Sequence, residues 1–128
     1  MQRRVTKMAY DRDNVFARIV RGELPCTKVH EDEHVLAFRD IAPQAPSHVV
    51  LIPKGEYVSV DDFAEKASDA ELAAFVRAVG KIVAAEGLGE GGFRLIANTG
   101  EHGHQEVPHF HMHIVGGRDL GPMLRRSS

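Results

Sequence analysis

Histidine alternates with apolar residues near the end of the chain, in the segment PHFHMHIVGG that spans residues 108–117. Successive side chains of a β-strand point to opposite faces of a sheet. The alternation therefore predicts a strand that carries His109, His111 and His113 on one face. The other face is apolar and is expected to pack on a helix; it carries Phe110, Met112 and Ile114.

Two segments have the apolar spacing of amphipathic helices. Ser68 and Glu71 have the pattern of a capping box, and apolar side chains then recur at one-face spacing over residues 72–83. This pattern predicts one long helix. A short helix is predicted over residues 13–21, with Asp13 as its N-cap.

Four other runs are rich in β-branched or aromatic residues and lie between polar, Pro-rich or Gly-rich turns: TKVHED, HVLAFRD, SHVVLIPK and FRLIAN. With the histidine segment they predict a five-stranded antiparallel sheet. One long and one short helix against such a sheet make an α+β domain. A chain of 128 residues suits a single domain, which we place at residues 13–128 after a flexible N-terminal extension, residues 1–12.

Composition argues against several classes of function. The formal net charge is −2, so no strong field draws the chain to nucleic acid or to anionic lipid. Cys26 is the only cysteine, which rules out an internal disulfide and a cysteine-cluster metal site. No apolar run approaches the roughly 20 residues of a membrane span. We therefore expect a cytoplasmic protein without nucleic-acid or membrane partners.

The histidine row has three chemical interpretations, of which the first is a metal site. A strand rises about 3.3 Å per residue, so neighbouring imidazoles start roughly 6.6 Å apart and the outer two roughly 13 Å apart. Because ligand bonds are near 2 Å, all three cannot bind one ion. Two of them would need a further ligand from elsewhere in the chain, for which the candidates are His48, His102, His104 and Glu106.

The second interpretation is that the histidines are solvated side chains on the wet face of a sheet. The third is an anion site, because imidazoles donate hydrogen bonds to phosphate and a neutral imidazole can attack phosphorus. The row then supplies a central nucleophile, a hydrogen-bond donor on one side of it and an orienting group on the other. The strict alternation and the flanking glycines favour a functional row over a solvated face.

The segment HFHMHIV matches the H-φ-H-φ-H-φ-φ pattern, in which φ is apolar, of the histidine triad superfamily. The resemblance continues in VFARIVRGELP and VLAFRDIAPQAPSHVVLIPK, which look like segments of the histidine triad nucleotide-binding, or Hint, branch. It covers about residues 13–124. The triad alone is moderately specific, whereas the triad preceded by D-I-x-P-Q-A-P-x-H is a much more specific match.

The resemblance implies a homodimer in which two five-stranded sheets join into one. It also implies hydrolysis of purine nucleoside phosphoramidates, with adenosine 5′-phosphoramidates or aminoacyl adenylates as substrates and AMP as a product. Neither a metal nor another cofactor is expected. Two alternatives stay open: a dinucleoside polyphosphate hydrolase, which the same triad supports in a sister branch, and a non-catalytic nucleotide-binding or interaction module.

Carried over by position, the resemblance gives the histidines distinct roles. His111 resembles the nucleophile that forms a nucleotidyl-histidine intermediate, which water then cleaves. His113 resembles the residue that hydrogen-bonds a non-bridging phosphate oxygen. His109 and His48 resemble supporting residues that fix the orientation and tautomer of the reacting rings.

The resemblance also indicates residues that bind the nucleotide. Asp40 resembles the carboxylate that accepts both ribose hydroxyls, and Asn98 and Gln105 match residues that contact the phosphate or the leaving group. The expected apolar walls around the base are Val15, Phe16, Ile19, Phe38 and Ile41.

Some positions depart from the family pattern. His104 and Glu106 stand where relatives often have a glycine and a serine, so the leaving-group side is expected to differ. Pro108 lacks a backbone N–H and is expected to shift where strand pairing starts. A C-x-x-C zinc motif of some bacterial relatives is absent, because Asn14 and Ala17 occupy its positions.

Overall fold

The computed structural model describes residues 9–125 and contains one sheet of five antiparallel strands. In chain order the strands are β1 (Lys28–Glu31), β2 (Val35–Arg39), β3 (Ser47–Pro53), β4 (Phe93–Ile96) and β5 (Met112–Gly116), arranged as β1-β2-β3-β5-β4 across the sheet. The helices are α1 (Val15–Val20), α2 (Val60–Lys66) and α3 (Asp69–Ala85). The α+β class and the five-stranded antiparallel sheet predicted from the sequence are confirmed.

The long helix α3 covers one face of the sheet, as its apolar spacing predicts. Its N-terminus has a complete capping box, in which Ser68 accepts from the Glu71 backbone and Glu71 accepts from the Ser68 backbone. Phe75 and Ile82 of α3 pack against Ile114 of β5 in the main core. The apolar face of the histidine segment therefore lies on the helix side, and the histidines lie on the opposite side.

The short helix α1 covers part of the histidine side of the sheet. Its N-cap is Asn14, whose side chain accepts a hydrogen bond from the Ala17 N–H, so the prediction that Asp13 is the cap is wrong by one residue. Either residue type caps well, and only the backbone geometry distinguishes them. Phe16 and Ile19 pack from α1 onto a second buried cluster formed by β2 and β3.

Helix α2 was not predicted from the sequence, which indicated only one long and one short helix. Ser59 caps it by accepting from the Asp62 N–H, and Phe63 turns into the main core. With seven residues and one buried aromatic residue, α2 is too short to show a helical period. The S-x-x-D spacing of its cap was the only local signal.

Strand β5 starts at Met112, later than the histidine pattern predicts. Pro108 has no backbone N–H to donate, and the Phe110 N–H donates to the Tyr57 carbonyl outside the sheet. The His109 carbonyl lies 2.7 Å from Nδ1 of the His111 ring. His109 and His111 therefore precede the paired strand, although their side chains stay on the face predicted for them.

Part of the expected N-terminal extension contacts the domain. The Tyr10 hydroxyl lies 2.7 Å from Nδ1 of His109, and Arg12 forms an ion pair with Glu56 at 3.3 Å. Two residues of the predicted extension, Tyr10 and Arg12, therefore contact the domain. Residues 1–8 of that predicted extension lie outside the described residues.

Among residues 9–125, no helix combines the length and the apolar character that crossing a membrane requires.

Candidate active site

The register of β3 and β5 brings two histidines together on the open face of the sheet. Val50 pairs with His113 and His48 pairs with Val115, so His48 and His113 are diagonal neighbours on one face. Nε2 of His48 lies 2.9 Å from Nδ1 of His113. His111 follows in the row, with its ring centroid 5.2 Å from that of His113.

The His111 ring is held in a single tautomer. Its Nδ1 lies 2.7 Å from the backbone carbonyl of His109, and because a carbonyl can only accept, Nδ1 carries the proton. Burial lowers the pKa of His111 below its usual value. The ring is thus neutral at pH 7, and Nε2 holds an unprotonated lone pair, as a nucleophile requires.

A chain of hydrogen bonds orients His113. The Gln44 backbone N–H donates to Nδ1 of His48 at 3.1 Å, so this nitrogen is the acceptor and the ring proton is on Nε2. That proton is donated to Nδ1 of His113. The remaining nitrogen of neutral His113, Nε2, is therefore an N–H donor available to a phosphate oxygen.

His109 is fully buried and has a partner for each ring nitrogen. Nε2 donates to the Pro53 carbonyl at 2.8 Å, and Nδ1 accepts from the Tyr10 hydroxyl at 2.7 Å. Burial lowers the pKa of His109 to about 4, so the ring is neutral. His109 supports the site from beneath, and its own carbonyl orients His111.

Tyr10 is a residue that the sequence analysis missed. It lies near the N-terminus, 99 positions from His109, and no local pattern around it indicates that contact. The carbonyl partners of His109 and His111 were missed for the same reason, because every residue has a carbonyl and only the tertiary structure selects one.

Asp40 directly follows β2 and lies next to the histidines. One carboxylate oxygen accepts from the Ala42 N–H at 2.8 Å, and the other lies 3.4 Å from Nε2 of His48. This carboxylate also raises the pKa of His111, although burial outweighs it. Asp40 therefore forms the turn before the Pro-rich loop and at the same time places negative charge at the edge of the site.

The metal interpretation has one set of candidate ligands among the described residues. Ligand atoms of Asp40, His48 and His113 all lie within 4.8 Å of one another. The two ring nitrogens, however, are only 2.9 Å apart, whereas two nitrogens bound tetrahedrally to one zinc ion lie about 3.3 Å apart. The present spacing suits a hydrogen bond, and ligation would require the rings to separate.

The residues predicted to surround the base are only partly brought together. Phe16 touches the His111 ring edge-on, with centroids 4.9 Å apart, and also meets Phe38. Ile19 lies beside them, whereas Phe38 itself is buried in the cluster beneath. Two others are exposed to solvent, Val15 at 43% and Ile41 at 102%.

The loop before the triad is braced by the two amides that the sequence analysis singled out. The Asn98 amide donates to the Gly103 carbonyl at 2.8 Å, and Gln105 donates to the carbonyls of Val58 and Val107. Gly103 packs so closely on Thr99 that a Cβ there would lie 2.4 Å from a backbone oxygen. The amides thus fix the loop that borders the site.

Two residues of this loop depart from the family pattern. His104 has a φ of 59°, a left-handed conformation that favours glycine, and its side chain is exposed. Glu106 is also exposed, and its charge acts on His111 against the lowering of the pKa by burial.

Known proteins share this arrangement of sequence and fold. The HIT domain model matches residues 21–120. An uncharacterized HIT-like protein of Azospirillum brasilense is 56% identical over 117 residues, covering 91% of this chain and 96% of that protein. The purine nucleoside phosphoramidase of Escherichia coli K12 is 46% identical over 112 residues, covering 88% and 93%.

Solved structures agree with this result. The structure of a histidine triad protein from Clostridium difficile has a TM-score of 0.78 and 39% sequence identity, covering 89% of this chain and 98% of that chain. With a family model that matches most of its length and relatives this similar, the chain belongs to the HIT domain family.

Proposed function

We propose that this protein is a purine nucleoside phosphoramidase of the Hint branch that hydrolyses adenosine 5′-phosphoramidates or aminoacyl adenylates and releases AMP. The observation that carries the proposal is the His111 ring, which is neutral and directs an unprotonated Nε2 away from the carbonyl that holds Nδ1. The similarity to a phosphoramidase over most of both chains supports the same activity.

In the first step, the lone pair of His111 Nε2 attacks phosphorus and the P–N bond to the amine breaks. The leaving nitrogen takes the bonding electrons and a proton from solvent, so a neutral amine departs. The nucleotide stays bound to Nε2. Positive charge develops on the ring. The His109 carbonyl stabilises this charge because it accepts a hydrogen bond from the Nδ1–H group.

In the second step, water attacks the same phosphorus atom from the side that the amine has left. The bond between phosphorus and Nε2 breaks, the ring recovers its lone pair, and AMP departs after water loses a proton. Covalent catalysis thus divides one difficult displacement into two easier ones.

His113 is proposed to stabilise the charge on the phosphate oxygens in both steps. Its Nε2–H is oriented in advance by the chain through His48 and Gln44, so no rearrangement is needed as the charge develops. Removing one such preorganised donor costs roughly 3 to 4 kcal/mol in other enzymes.

The nucleoside is proposed to lie between α1 and the end of β2. Phe16 and Ile19 offer half-buried apolar surface beside the triad, and Asp40 offers carboxylate oxygens to the ribose hydroxyls. Asn98 and Gln105 are proposed to act on the phosphate and leaving-group side by shaping the loop there.

A homodimer is proposed to form at the free edge of β4. This strand pairs only with β5 among the described residues. Its apolar side chains Phe93 and Leu95 are each 42% exposed, and Val76 of α3 is 70% exposed. An exposed apolar edge strand favours pairing with the same strand of a second copy, which would join the two sheets into one.

The direct test of the proposed activity is hydrolysis of adenosine 5′-phosphoramidate with and without a metal chelator. We expect AMP and ammonia to appear in equal amounts at a rate that the chelator does not change. A rate abolished by chelator and restored by zinc would instead assign the work to the Asp40, His48 and His113 cluster as a metal site. Absence of turnover in both samples would refute the phosphoramidase.

The pH dependence of kcat/KM follows from the pKa of the nucleophile. Only neutral His111 can attack, and its pKa is lowered from the ordinary value near 6.5. We therefore expect kcat/KM to reach a plateau toward pH 8 and to fall on an acid limb whose midpoint lies below about 6.5. Initial rates corrected for uncatalysed hydrolysis measure the limb, and a midpoint above 6.5 contradicts the neutral, buried nucleophile.

A further inference from the structure

A cavity lies beside the histidine row, on the side of His113 away from Phe16. Its volume is about 360 Å³. Six polar side chains line it together with the apolar residues Ile96, Val115 and Leu120; the polar ones are Gln44, His48, Arg94, Asn98, His113 and Arg118. We call it the arginine pocket. The proposed reaction does not use its two arginines.

The sheet register explains why an arginine faces the histidines. Ile96 of β4 pairs with His113, and Arg94 pairs with Val115. Because side chains two residues apart share a face, Arg94 and Ile96 lie on the same face as His113. Arg94 therefore lies on the histidine side of the sheet, whereas Phe93 and Leu95 lie on the opposite side.

Both guanidinium groups are held in place by backbone carbonyls. Nη2 of Arg94 donates to the Gly121 carbonyl at 2.7 Å. Arg118 donates to the Asp119 carbonyl at 2.8 Å and to the Gln44 carbonyl at 3.0 Å. These contacts fix the groups but leave their positive charges unneutralised.

Neither guanidinium has a carboxylate partner. Among residues 9–125, no carboxylate oxygen forms an ion pair with Arg94 or Arg118, whereas Arg39 is paired with Glu86 at 2.7 Å. The nearby carboxylate of Asp119 accepts from the Gly121 N–H instead. Two fixed cations with spare N–H donors thus line a cavity that adjoins the phosphate-binding histidine.

We propose that the arginine pocket binds an oxyanion, a carboxylate or a phosphate, carried by the leaving group of the substrate. This inference rests on the proposed function, because His113 is the wall shared by the pocket and the reacting phosphorus. Guanidinium groups match the geometry of carboxylate and phosphate oxygens and bind both through paired hydrogen bonds. The favoured phosphoramidates are then those whose leaving amine is an amino acid with a free carboxylate.

The test compares two substrates that differ in one charge. Adenosine 5′-phosphoramidates of glycine and of glycinamide have nearly the same shape, but only the first has a carboxylate. We expect the unmodified protein to favour the glycine compound in kcat/KM by about tenfold, as one charge-assisted contact would give. In the R94Q/R118Q double variant this ratio should fall to about one.

The matched control is R77Q, which removes one positive charge from the exposed surface of α3, away from the histidine face. The ratio should stay near tenfold in R77Q. The single variant R94Q isolates the effect of the pocket, because Arg118 also holds the loop carbonyl of Gln44 next to His48. A ratio near one in the unmodified protein, or a ratio kept by the double variant, overturns the proposal that the pocket binds a carboxylate of the leaving group.

Kd values measured in an inactive variant test the pocket independently of the proposed reaction. In H111A the Kd values of the two compounds, measured by calorimetry, should differ about tenfold, and adding R94Q/R118Q should remove the difference. If the unmodified protein hydrolyses neither compound, the phosphoramidase is refuted while this Kd ratio still supports or refutes the pocket.

A second pair of ligands identifies the source of the oxyanion. If ATP binds H111A more tightly than AMP does, and only while both arginines are present, the pocket takes a phosphate of the leaving group. If only the glycine compound binds more tightly than its glycinamide counterpart in the presence of both arginines, the pocket takes a carboxylate. If neither pair shows a difference that depends on the arginines, the pocket is not an oxyanion site.

Discussion

The H111A variant is expected to lose at least about 10⁴-fold in kcat/KM for adenosine 5′-phosphoramidate, because the covalent route has no other nucleophile in reach. His113 is an N–H donor and His48 is hydrogen-bonded through both ring nitrogens, so neither offers a free lone pair at the phosphorus atom. Initial rates of AMP release under matched enzyme concentrations measure this loss.

The matched control for H111A is H34A, which removes a histidine from the loop between β1 and β2. The His34 ring lies 3.9 Å from the Glu33 carboxylate, and its hydrogen bonds to Asp32 and Lys54 use backbone groups that alanine keeps. We expect H34A to keep the rate of the unmodified protein. If H111A is folded by circular dichroism and retains a rate within tenfold, the nucleophile has been assigned to the wrong residue.

The H109A variant is expected to lose about 3 to 5 kcal/mol of the free energy of unfolding at pH 7. His109 is fully buried, so its removal leaves a cavity. It also leaves the Pro53 carbonyl and the Tyr10 hydroxyl without their hydrogen-bond partner. Denaturant unfolding measures the loss. Y10F removes only the hydroxyl of one partner, and a loss of about 1 kcal/mol is expected for it.

The effect of H109A should also depend on pH in a defined direction. The pKa of His109 is about 4 in the folded protein and near 6.5 in the unfolded chain, so below pH 6.5 the unfolded state binds the extra proton. The stabilisation is therefore complete above pH 6.5 and is lost as pH falls toward 4. Between pH 7 and pH 5, the difference in unfolding free energy between the two proteins should narrow by about 2 kcal/mol. An unchanged difference would mean that folded His109 takes up a proton as easily as the unfolded chain does.

The sheet and the long helix follow from the sequence because their signals are local and repeated. The capping box at Ser68 and the period of α3 occur within one segment, and each strand is a short run between turns. The N-cap of α1 was placed at Asp13 instead of Asn14 because both residue types cap equally well. Helix α2 was missed because it is too short to show a helical period. The first residue of β5 depends on the partners of the backbone N–H and carbonyl groups before it, and a side-chain pattern does not reveal these partners.

In the candidate site, too, the features with a local sequence pattern were predicted and those that depend on tertiary contacts were not. The histidine alternation predicts that His109, His111 and His113 share a face, and the structure confirms it. The tautomers of His109 and His113, by contrast, depend on Tyr10, Pro53 and Gln44, which are distant in the chain and act through backbone or hydroxyl groups. The two arginines beside His113 were also missed, because an arginine in a short strand or a tail has no sequence signal for an unneutralised charge.

If His111 is the nucleophile, the nucleotidyl-histidine intermediate can be trapped on the protein. The protein is mixed with less than one equivalent of adenosine 5′-phosphoramidate, quenched within milliseconds in alkaline denaturant, and digested for mass spectrometry. We expect an adenylyl group on the peptide that contains His111, with its bond at Nε2, formed before AMP appears. Release of AMP without an adduct, or an adduct on another residue, would contradict it.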